Sequence, residues 1–358
     1  MNIIDRNYTA TETVSAVNSF NDWDPLEEVI VGSIEGGYIP ELEESFYLFR
    51  WPVKKSEHRV GPVPQKIIEE TEEDIANFVD LLESFNVTVR RPAEIDYSKR
   101  IATPYWSTES VNALMPRDSM IVVGDKLIET PMVCRSRQCE TLAYKDLLLE
   151  YFRSGCNWIS APKPRLLNDA YLIPSTDTQP SITEVEPIFD AANILRIGED
   201  LFYNTNISGN LAGMDWMQRL LGDTFRLHSI SVSPDHIDTT MIPIGPGRIL
   251  VNPHLVNEDN IPEQFKSWEM IKAPSTPPEQ IYGLEYPWCS DWIGLNLFSI
   301  DPHNVVVEAG QTELIKILEK QKNLNVIPLR YRHGKTFGGG WHCITLDVRR
   351  RGTLQNYF

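Results

Sequence analysis

The residues with the clearest chemical potential lie near the C-terminus, where three glycines precede a cysteine. The stretch from Phe337 to Arg351 reads FGGGWHCITLDVRRR. Glycines open backbone conformations that are closed to other residues and let a ligand approach the chain. The residues from Ile344 onward are typical of a buried strand. Cys343 is therefore predicted between a permissive loop and a rigid strand, which suits a catalytic thiolate. A buried core cysteine is the competing interpretation.

A nucleophilic cysteine needs a histidine for proton transfer and a carboxylate that orients this histidine. Short polar clusters at the ends of predicted strands supply His236 and Asp190 for these roles. Asp118 and Asp238 remain as two further carboxylates, which would repel each other in one pocket unless a cation lay between them. A planar guanidinium held by paired hydrogen bonds fits that position.

Each of these residues also has a structural interpretation. Asp190 is equally suited to capping a turn before two alanines. His236 fits an ordinary core or surface histidine. Asp118 follows Arg117, and such a local ion pair contributes little energy. Spacing alone does not bring these groups together in space.

Composition excludes several classes of function. The 358 residues carry a formal net charge of −17, whereas nucleic acids and anionic membranes require a basic surface. The 5 cysteines form no zinc-type spacing, which favours free thiols in a reducing compartment and no metal site. No signal peptide and no membrane-length apolar run are recognisable. These features predict a soluble cytoplasmic protein.

The chain repeats a unit in which a helix is followed by a strand, and five such units are predicted. Their helices span about 65–84, 140–152, 209–221, 262–268 and 311–322. Further apolar strands lie between them, and long loops are predicted near 36–63 and 165–185. No linker or low-complexity tract divides the chain. We therefore expect a tail at residues 1–20 and one closed domain of five β/α modules at 21–358, whose loops converge on a central site.

Several motifs show a family resemblance. The sequence resembles the amidinotransferases, the family of glycine amidinotransferase and inosamine-phosphate amidinotransferase, from about residue 20 to the end. A stretch at 143–152, AYKDLLLEYF, brings it nearer to the branch known from streptomycin biosynthesis. The motifs that carry the resemblance are DPLEEVIVG at 24–32, PRD at 116–118, ETPM at 129–132, RSR at 135–137, SAPKP at 160–164, FDAA at 189–192, HID at 236–238 and 338–352.

The resemblance implies a five-bladed α/β propeller with pseudo-fivefold symmetry and a homodimer. It also implies a catalytic group of Cys343, His236 and Asp190, with Asp118 and Asp238 binding the guanidinium and no metal or organic cofactor. Ser290 is expected to line the substrate end of the pocket. The candidate substrate-binding set further includes Arg117, His254 and Leu255.

One position departs from the family pattern. Relatives carry an arginine two residues after the Asn-Pro that matches residues 252–253, where it is thought to hold a substrate carboxylate. Here Leu255 stands at that position, preceded by His254. An apolar side chain cannot replace the guanidinium fork. We interpret this as a hint that the acceptor lacks a carboxylate, as in the saxitoxin-type pathways that use an enzyme of this family.

The function predicted from these observations is ping-pong transfer of an amidino group from L-arginine to a primary amine, with release of L-ornithine. Three alternatives stay open: a deiminase-type hydrolase, an aminocyclitol-phosphate amidinotransferase, and a non-catalytic arginine-binding protein. The stretch GGGWHC favours transfer over hydrolysis. The presence of both Cys343 and His236 argues against a purely binding role.

Overall fold

The computed structural model describes residues 16–48, 58–174, 180–276 and 291–358. These residues form a mixed α/β fold, as predicted. Its strands are β1 Leu26–Val31, β2 Tyr38–Ile39, β3 Gly61–Pro62, β4 Thr88–Arg90, β5 Arg100–Ala102, β6 Ser107–Glu109, β7 Met120–Val123, β8 Lys126–Glu129, β9 Asn157–Ser160, β10 Tyr171–Leu172, β11 Ser181–Ile182, β12 Ile194–Ile197, β13 Asp200–Asn204, β14 Arg226–Ile230, β15 Met241–Gly245, β16 Arg248–Val251, β17 Glu269–Lys272, β18 Phe298–Asp301, β19 Asn304–Glu308, β20 Asn325–Leu329 and β21 Thr345–Arg350.

Four of the five predicted helices are present as α-helices, and the one predicted at 311–322 ends earlier, at Leu318. The predicted helix at 65–84 is confirmed without a shift of its bounds, whereas the helix predicted at 140–152 begins as a 3₁₀ turn. The segment predicted as a helix at 262–268 forms only the 3₁₀ turn Glu263–Ser267. The α-helices are α1 Gln65–Ser84, α2 Pro116–Ser119, α3 Lys145–Arg153, α4 Leu211–Leu221, α5 Thr312–Leu318 and α6 Gly334–Phe337.

One sheet topology recurs through the described chain. Five three-stranded sheets have a middle strand that pairs antiparallel with one neighbour and parallel with the other. A parallel connection needs a crossover, and a helix or helical turn fills it each time. The sheets are β7-β8-β9, β12-β13-β14, β15-β16-β17, β18-β19-β20 and β21-β1-β4. In the sheet β21-β1-β4, the last strand, β21, pairs with the first strand, β1.

A short helical turn precedes the first strand of each of these sheets. α2 leads into β7, and 3₁₀ turns at Ala191–Asn193, Ile237–Thr239 and Asp291–Leu295 precede β12, β15 and β18. A turn at 341–344 precedes β21. The polar clusters predicted at strand ends therefore lie at the beginnings of strands, in equivalent places of the repeat. This equivalence explains how residues far apart in sequence reach one site.

Packing of α1 supports the loop that carries the cysteine. The side chains of Ile68, Ile75, Phe78 and Leu82 are buried on one face of this helix, which follows from its 3.6-residue periodicity. The ring of Phe78 lies 4.5 Å from that of Trp341, centroid to centroid. Burial of each such side chain contributes about 1.5–3 kcal/mol. The core thus holds Trp341 in place, two positions before Cys343.

A buried charge cluster joins several parts of the fold. Arg117 donates to Asp347 at 2.6 Å and Arg196 donates to it at 2.8 Å. Arg350 donates to the same carboxylate at 2.9 Å. All four side chains are at least nine-tenths buried. Because buried charges are costly without partners, these ion pairs require α2, β12 and β21 to stay in register.

The N-terminal boundary differs from the prediction. Residues 16–20, which the sequence assigned to a tail, pack into the fold. The backbone N–H of Asn18 donates to the carbonyl of Val348 at 3.0 Å, and Ser19 Oγ donates to Asp347 at 2.7 Å. The boundary at residue 20 was wrong because these short polar residues carry no periodicity. Among the described residues, no helix is long and apolar enough to cross a membrane.

Candidate active site

A cavity of about 400 Å³ is lined by four of the predicted site residues. Cys343, His236, Asp118 and Asp238 all line it, and Asp190 lies behind His236. Apolar side chains form much of the remaining surface. The further polar or charged residues that line this cavity among the described residues are Arg59, Asn112, Cys134, Arg137, Glu140, Ser208, Asp235, Thr239 and Thr336.

Cys343 is held rigidly at the base of the cavity. It is 2% exposed, and its backbone N–H donates to Asn296 Oδ1 at 2.9 Å. A Cβ on Gly339 would lie 2.2 Å from Met115 Sδ and 2.9 Å from Cys343 Cβ, so this position requires glycine. The thiol Sγ lies 3.3 Å from Asp238 Oδ2 and donates to it. Burial, followed by the negative charges of Asp238 and Asp118, raises the pKa of Cys343 well above its usual value. Without a bound cation the group is therefore a thiol.

His236 lies between two carboxylates. Its Nε2 is 3.0 Å from Asp190 Oδ2, and its Nδ1 is 3.5 Å from Asp118 Oδ1. Burial alone would lower the pKa of His236, but Asp118 and Asp190 outweigh it and raise this pKa to about 9. Asp190 is fully buried and also accepts a hydrogen bond from the backbone N–H of Val133 at 3.1 Å. At neutral pH the imidazole is thus a cation and can donate a proton.

Two carboxylate oxygens in this cavity lack a hydrogen-bond partner among the described residues. They are Oδ1 of Asp118 and Oδ1 of Asp238, and both are buried. A buried acceptor without a donor costs about 1–3 kcal/mol. A ligand with several N–H donors and a positive charge would satisfy both oxygens, and a guanidinium has this form.

Arg137 and Glu140 belong to the site, although neither was predicted from the sequence to be a catalytic or substrate-binding residue. Arg137 donates to Asp118 Oδ2 at 2.7 Å and to both carboxylate oxygens of Glu140 at 2.8 Å. Burial raises the pKa of Glu140 to about 7, in spite of the neighbouring Arg137. This pair fixes the orientation of Asp118. The signal was available, because Arg137 lies in the RSR motif.

His342 and Asn296 also belong to the site and were not predicted from the sequence. His342 Nδ1 donates to Asp238 Oδ2 at 2.7 Å. Burial would raise the pKa of Asp238, but the hydrogen bond and charge of His342, together with His236, lower it. Asn296 occupies the turn before β18, the equivalent of the turns that carry the aspartates. Its sequence, Leu-Asn-Leu, gave no signal of a site.

Four predicted residues lie elsewhere or cannot be placed. Arg117 does not line the cavity in the described chain, because its guanidinium donates to Asp347 and to the carbonyls of His342 and Thr345 at 3.0 Å. His254 is exposed and contacts the carbonyl of Ser275. Leu255 packs on an apolar cluster around Phe202 and Phe265, also away from the cavity lining. Ser290 lies outside the described residues.

The arrangement suits nucleophilic attack on a cationic carbon. A thiol is within hydrogen-bond reach of one carboxylate, a second carboxylate lies 3.5 Å from the imidazole, and this protonated imidazole is available as an acid. A guanidinium between the carboxylates would add a positive charge beside the thiol and so lower its pKa. The four described cysteines, Cys134, Cys139, Cys156 and Cys343, are free thiols.

Known proteins are similar to this chain over almost its whole length. Inosamine-phosphate amidinotransferase 1 of Streptomyces glaucescens is 44% identical over 349 residues, which cover 96% of this chain and 99% of that protein. An L-arginine:L-lysine amidinotransferase of Pseudomonas savastanoi pv. phaseolicola is 37% identical and is covered to 97%, again across 96% of this chain. No family model matches the chain.

Solved structures agree with these relatives. The structure of an inosamine-phosphate amidinotransferase from Streptomyces griseus superposes with a TM-score of 0.91 at 44% identity, covering 96% of this chain and 99% of that one. The structure of an amidinotransferase from the saxitoxin biosynthetic pathway of Microseira wollei superposes with a TM-score of 0.86 at 39% identity. It covers 96% of this chain and 100% of that one.

Proposed function

The chain belongs to the amidinotransferase family, and from this premise we propose that it transfers the amidino group of L-arginine to a primary amine through a covalent adduct on Cys343. The observation that carries the proposal is the pair of buried oxygens, Oδ1 of Asp118 and Oδ1 of Asp238, that accept no hydrogen bond among the described residues in the cavity of this thiol. A similar protein from Pseudomonas is named an L-arginine:L-lysine amidinotransferase, which supports arginine as the donor.

The first half-reaction forms the adduct. Asp118 and Asp238 bind the guanidinium, whose charge lowers the pKa of Cys343, so that the thiol proton is released to solvent when arginine binds. The thiolate attacks the guanidinium carbon and forms a C–S bond, and the C–N bond to the departing ornithine breaks. His236, oriented by Asp190, gives its proton to the leaving nitrogen. L-Ornithine leaves, and the amidino group stays on sulfur.

The second half-reaction uses the same groups in reverse. The nitrogen of an acceptor amine attacks the amidino carbon, His236 takes the proton that this nitrogen loses, and the C–S bond breaks. The products are a guanidino compound and the regenerated cysteine. Water attack on this adduct would give urea. A hydrolase of the deiminase type differs one step earlier, because it expels ammonia and keeps the ornithine part on the adduct, so that water then releases citrulline.

The remaining parts of the proposal rest on the sequence. We place the enzyme in specialised-metabolite or toxin biosynthesis, supported by its 39% identity to an enzyme of the saxitoxin pathway. The five sheets of equal topology support a five-bladed propeller around the site. A single domain reaching to residue 358, the homodimer and the cytoplasmic location stay predictions, as does a role for Ser290.

Intact-protein mass spectrometry after incubation with L-arginine alone tests the proposal. We expect a mass gain of one amidino group, release of ornithine, and loss of the gain when an amine is added. Cys343→Ala should abolish the gain, while arginine binding stays measurable by calorimetry. Cys156→Ala, a buried cysteine that does not line the cavity, is the matched control and should retain it. Turnover in Cys343→Ala, or citrulline in place of the adduct, would contradict transfer through this thiol.

A further inference from the structure

Two chemically different sets of side chains line the cavity. The charged set comprises Cys343, His236 and the carboxylates described above. The second set forms an apolar wall, which we define as Tyr38, Ile39, Phe46, Val60, Val63 and Ile67. Val63 and Ile67 belong to the same buried cluster as Cys343. Phe46, Val63 and Ile67 are buried to more than nine-tenths, whereas Val60 is 50% exposed. A ligand whose reacting nitrogen lies at Cys343 would therefore extend its body along hydrocarbon.

The apolar wall belongs to a segment outside the five repeated sheets. It comes mainly from the insertion between β1 and α1, where β2 and β3 pair with Tyr38 opposite Pro62 and Ile39 opposite Gly61. The backbone N–H of Tyr38 donates to the carbonyl of Val111 at 2.8 Å, and that of Val63 donates to Gly37 at 2.9 Å. The wall is thus fixed by backbone hydrogen bonds to itself and to the scaffold.

The charges of the cavity do not favour an anionic body. Four carboxylates line it among the described residues, those of Asp118, Glu140, Asp235 and Asp238. The cationic groups in the same lining are Arg59, Arg137 and His236. All three already interact with other groups of the protein. Arg137 donates to Asp118 and Glu140, His236 lies between Asp118 and Asp190, and Arg59 also has a partner. A phosphate on the acceptor, or a carboxylate without a neighbouring cation, would meet repulsion here. The donor L-arginine differs, because its α-carboxylate is balanced by its own α-ammonium group.

Resting on the proposed function, we infer that the acceptor is a primary amine with an apolar body, such as an alkyl or arylalkyl amine, that bears no phosphate or carboxylate. The amine nitrogen forms the new C–N bond to the amidino carbon as the C–S bond to Cys343 breaks. Its proton goes to His236, and the hydrocarbon body lies against the apolar wall. The cavity volume of about 400 Å³ is in the range that accommodates such ligands.

Discharge of the preformed adduct tests this inference. The amidino-enzyme is made with L-arginine, freed of excess donor and mixed with propylamine, butylamine, pentylamine or hexylamine. These amines have nearly equal basicity, so differences between their rate constants reflect only the length of the hydrocarbon chain. We expect the second-order rate constant to rise about fourfold per methylene, which corresponds to about 0.8 kcal/mol. Hexylamine should exceed glycine, lysine and inosamine phosphate by at least about tenfold.

Two Val→Asp variants distinguish an effect of the apolar wall from the effect of an added charge elsewhere on the surface. Val60→Asp places a carboxylate on the apolar wall at a half-exposed position, and we expect it to flatten the dependence on chain length. Val185→Asp is the matched control, because Val185 is 48% exposed and does not line the cavity. It should keep the wild-type dependence.

The outcomes distinguish the two proposals. If the adduct forms but glycine or inosamine phosphate discharges it fastest, or if the alkylamine series is flat, the inference is overturned and the proposed function stands. If arginine yields no adduct, the proposed function fails first and the inference fails with it. Equal slopes in Val60→Asp and wild type would also overturn the assignment to the apolar wall.

Discussion

Asp238 acts on Cys343 in two opposite directions. In the free protein its negative charge, 3.3 Å from the thiol, favours the protonated sulfur, and burial and Asp118 act in the same sense. With a guanidinium bound, the same carboxylate would hold the cation that lowers the thiol pKa. On the proposed mechanism, the reactive thiolate forms only with substrate present, and we expect this to protect the cysteine from adventitious alkylation.

Asp238→Asn should separate these two effects. Removing the charge lowers the pKa of Cys343, so the pH profile of iodoacetamide alkylation shifts to lower pH. At pH 8 the alkylation rate should rise by about tenfold for each unit of this shift. Adduct formation from arginine should fall at the same time by at least about a hundredfold. Mass spectrometry of both reactions provides the measurement.

The control for this prediction is Asp235→Asn. Asp235 lines the same cavity at an exposed position, and it is not among the groups that raise the pKa of Cys343. Its alkylation profile should stay close to that of the wild type. A similar shift in both variants would mean that general cavity charge, rather than the contact with Asp238, controls the thiol.

At the scale of elements, the turn before β18 supports the loop before β21. Asn296 Oδ1 accepts hydrogen bonds from the backbone N–H groups of Gly340 at 3.0 Å and Cys343 at 2.9 Å. The side chain is 2% exposed. This fourth copy of the repeated turn thus supports the nucleophile, whereas the turns before β7 and β15 contribute carboxylates to the cavity.

Asn296→Ala should destabilise the protein and misplace the thiol. It leaves two N–H groups of the loop without an acceptor, at a cost of about 1–3 kcal/mol each. We expect a loss of roughly 2–4 kcal/mol in urea unfolding, and a fall in the rate of adduct formation at saturating arginine. Asn296→Asp keeps an accepting oxygen and should recover most of the stability. Because its added charge lies near Cys343, it should also shift the alkylation profile to higher pH. Wild-type stability in Asn296→Ala would refute this support role.

At the scale of the whole molecule, the charge cluster at Asp347 couples the chain ends to the interior. Its arginines come from α2, β12 and β21, and the sheet β21-β1-β4 contains both terminal strands. Breaking a buried ion pair from one side leaves uncompensated charge, which costs about 3–5 kcal/mol.

Asp347→Asn should therefore lower the free energy of unfolding by about 3–5 kcal/mol, measured with urea. The matched control is Asp125→Asn, which removes a half-exposed carboxylate beside Lys126. An exposed pair of this kind contributes at most about 1 kcal/mol. If the free energy of unfolding fell by the same small amount in both variants, the cluster would not be the structural link that the geometry indicates.

The sequence alone determined the chemical inventory and the local elements. Helical periodicity placed α1 at its observed bounds, and the motifs around Asp118, Asp190, His236, Asp238 and Cys343 indicated which residue types are available. These features are readable because they depend on spacing within a few residues. The family resemblance rests on the same short stretches.

Only the tertiary structure decided which of these groups share a cavity. Arg117 and Asp118 are adjacent in sequence, but successive side chains on a helical turn diverge by about 100°. Asp118 consequently lines the cavity while Arg117 binds Asp347. The roles of Arg137, Asn296 and His342 also come from long-range contacts, as does the apolar wall. Such contacts have no periodic signature, because their geometry is set by packing between segments distant in the chain.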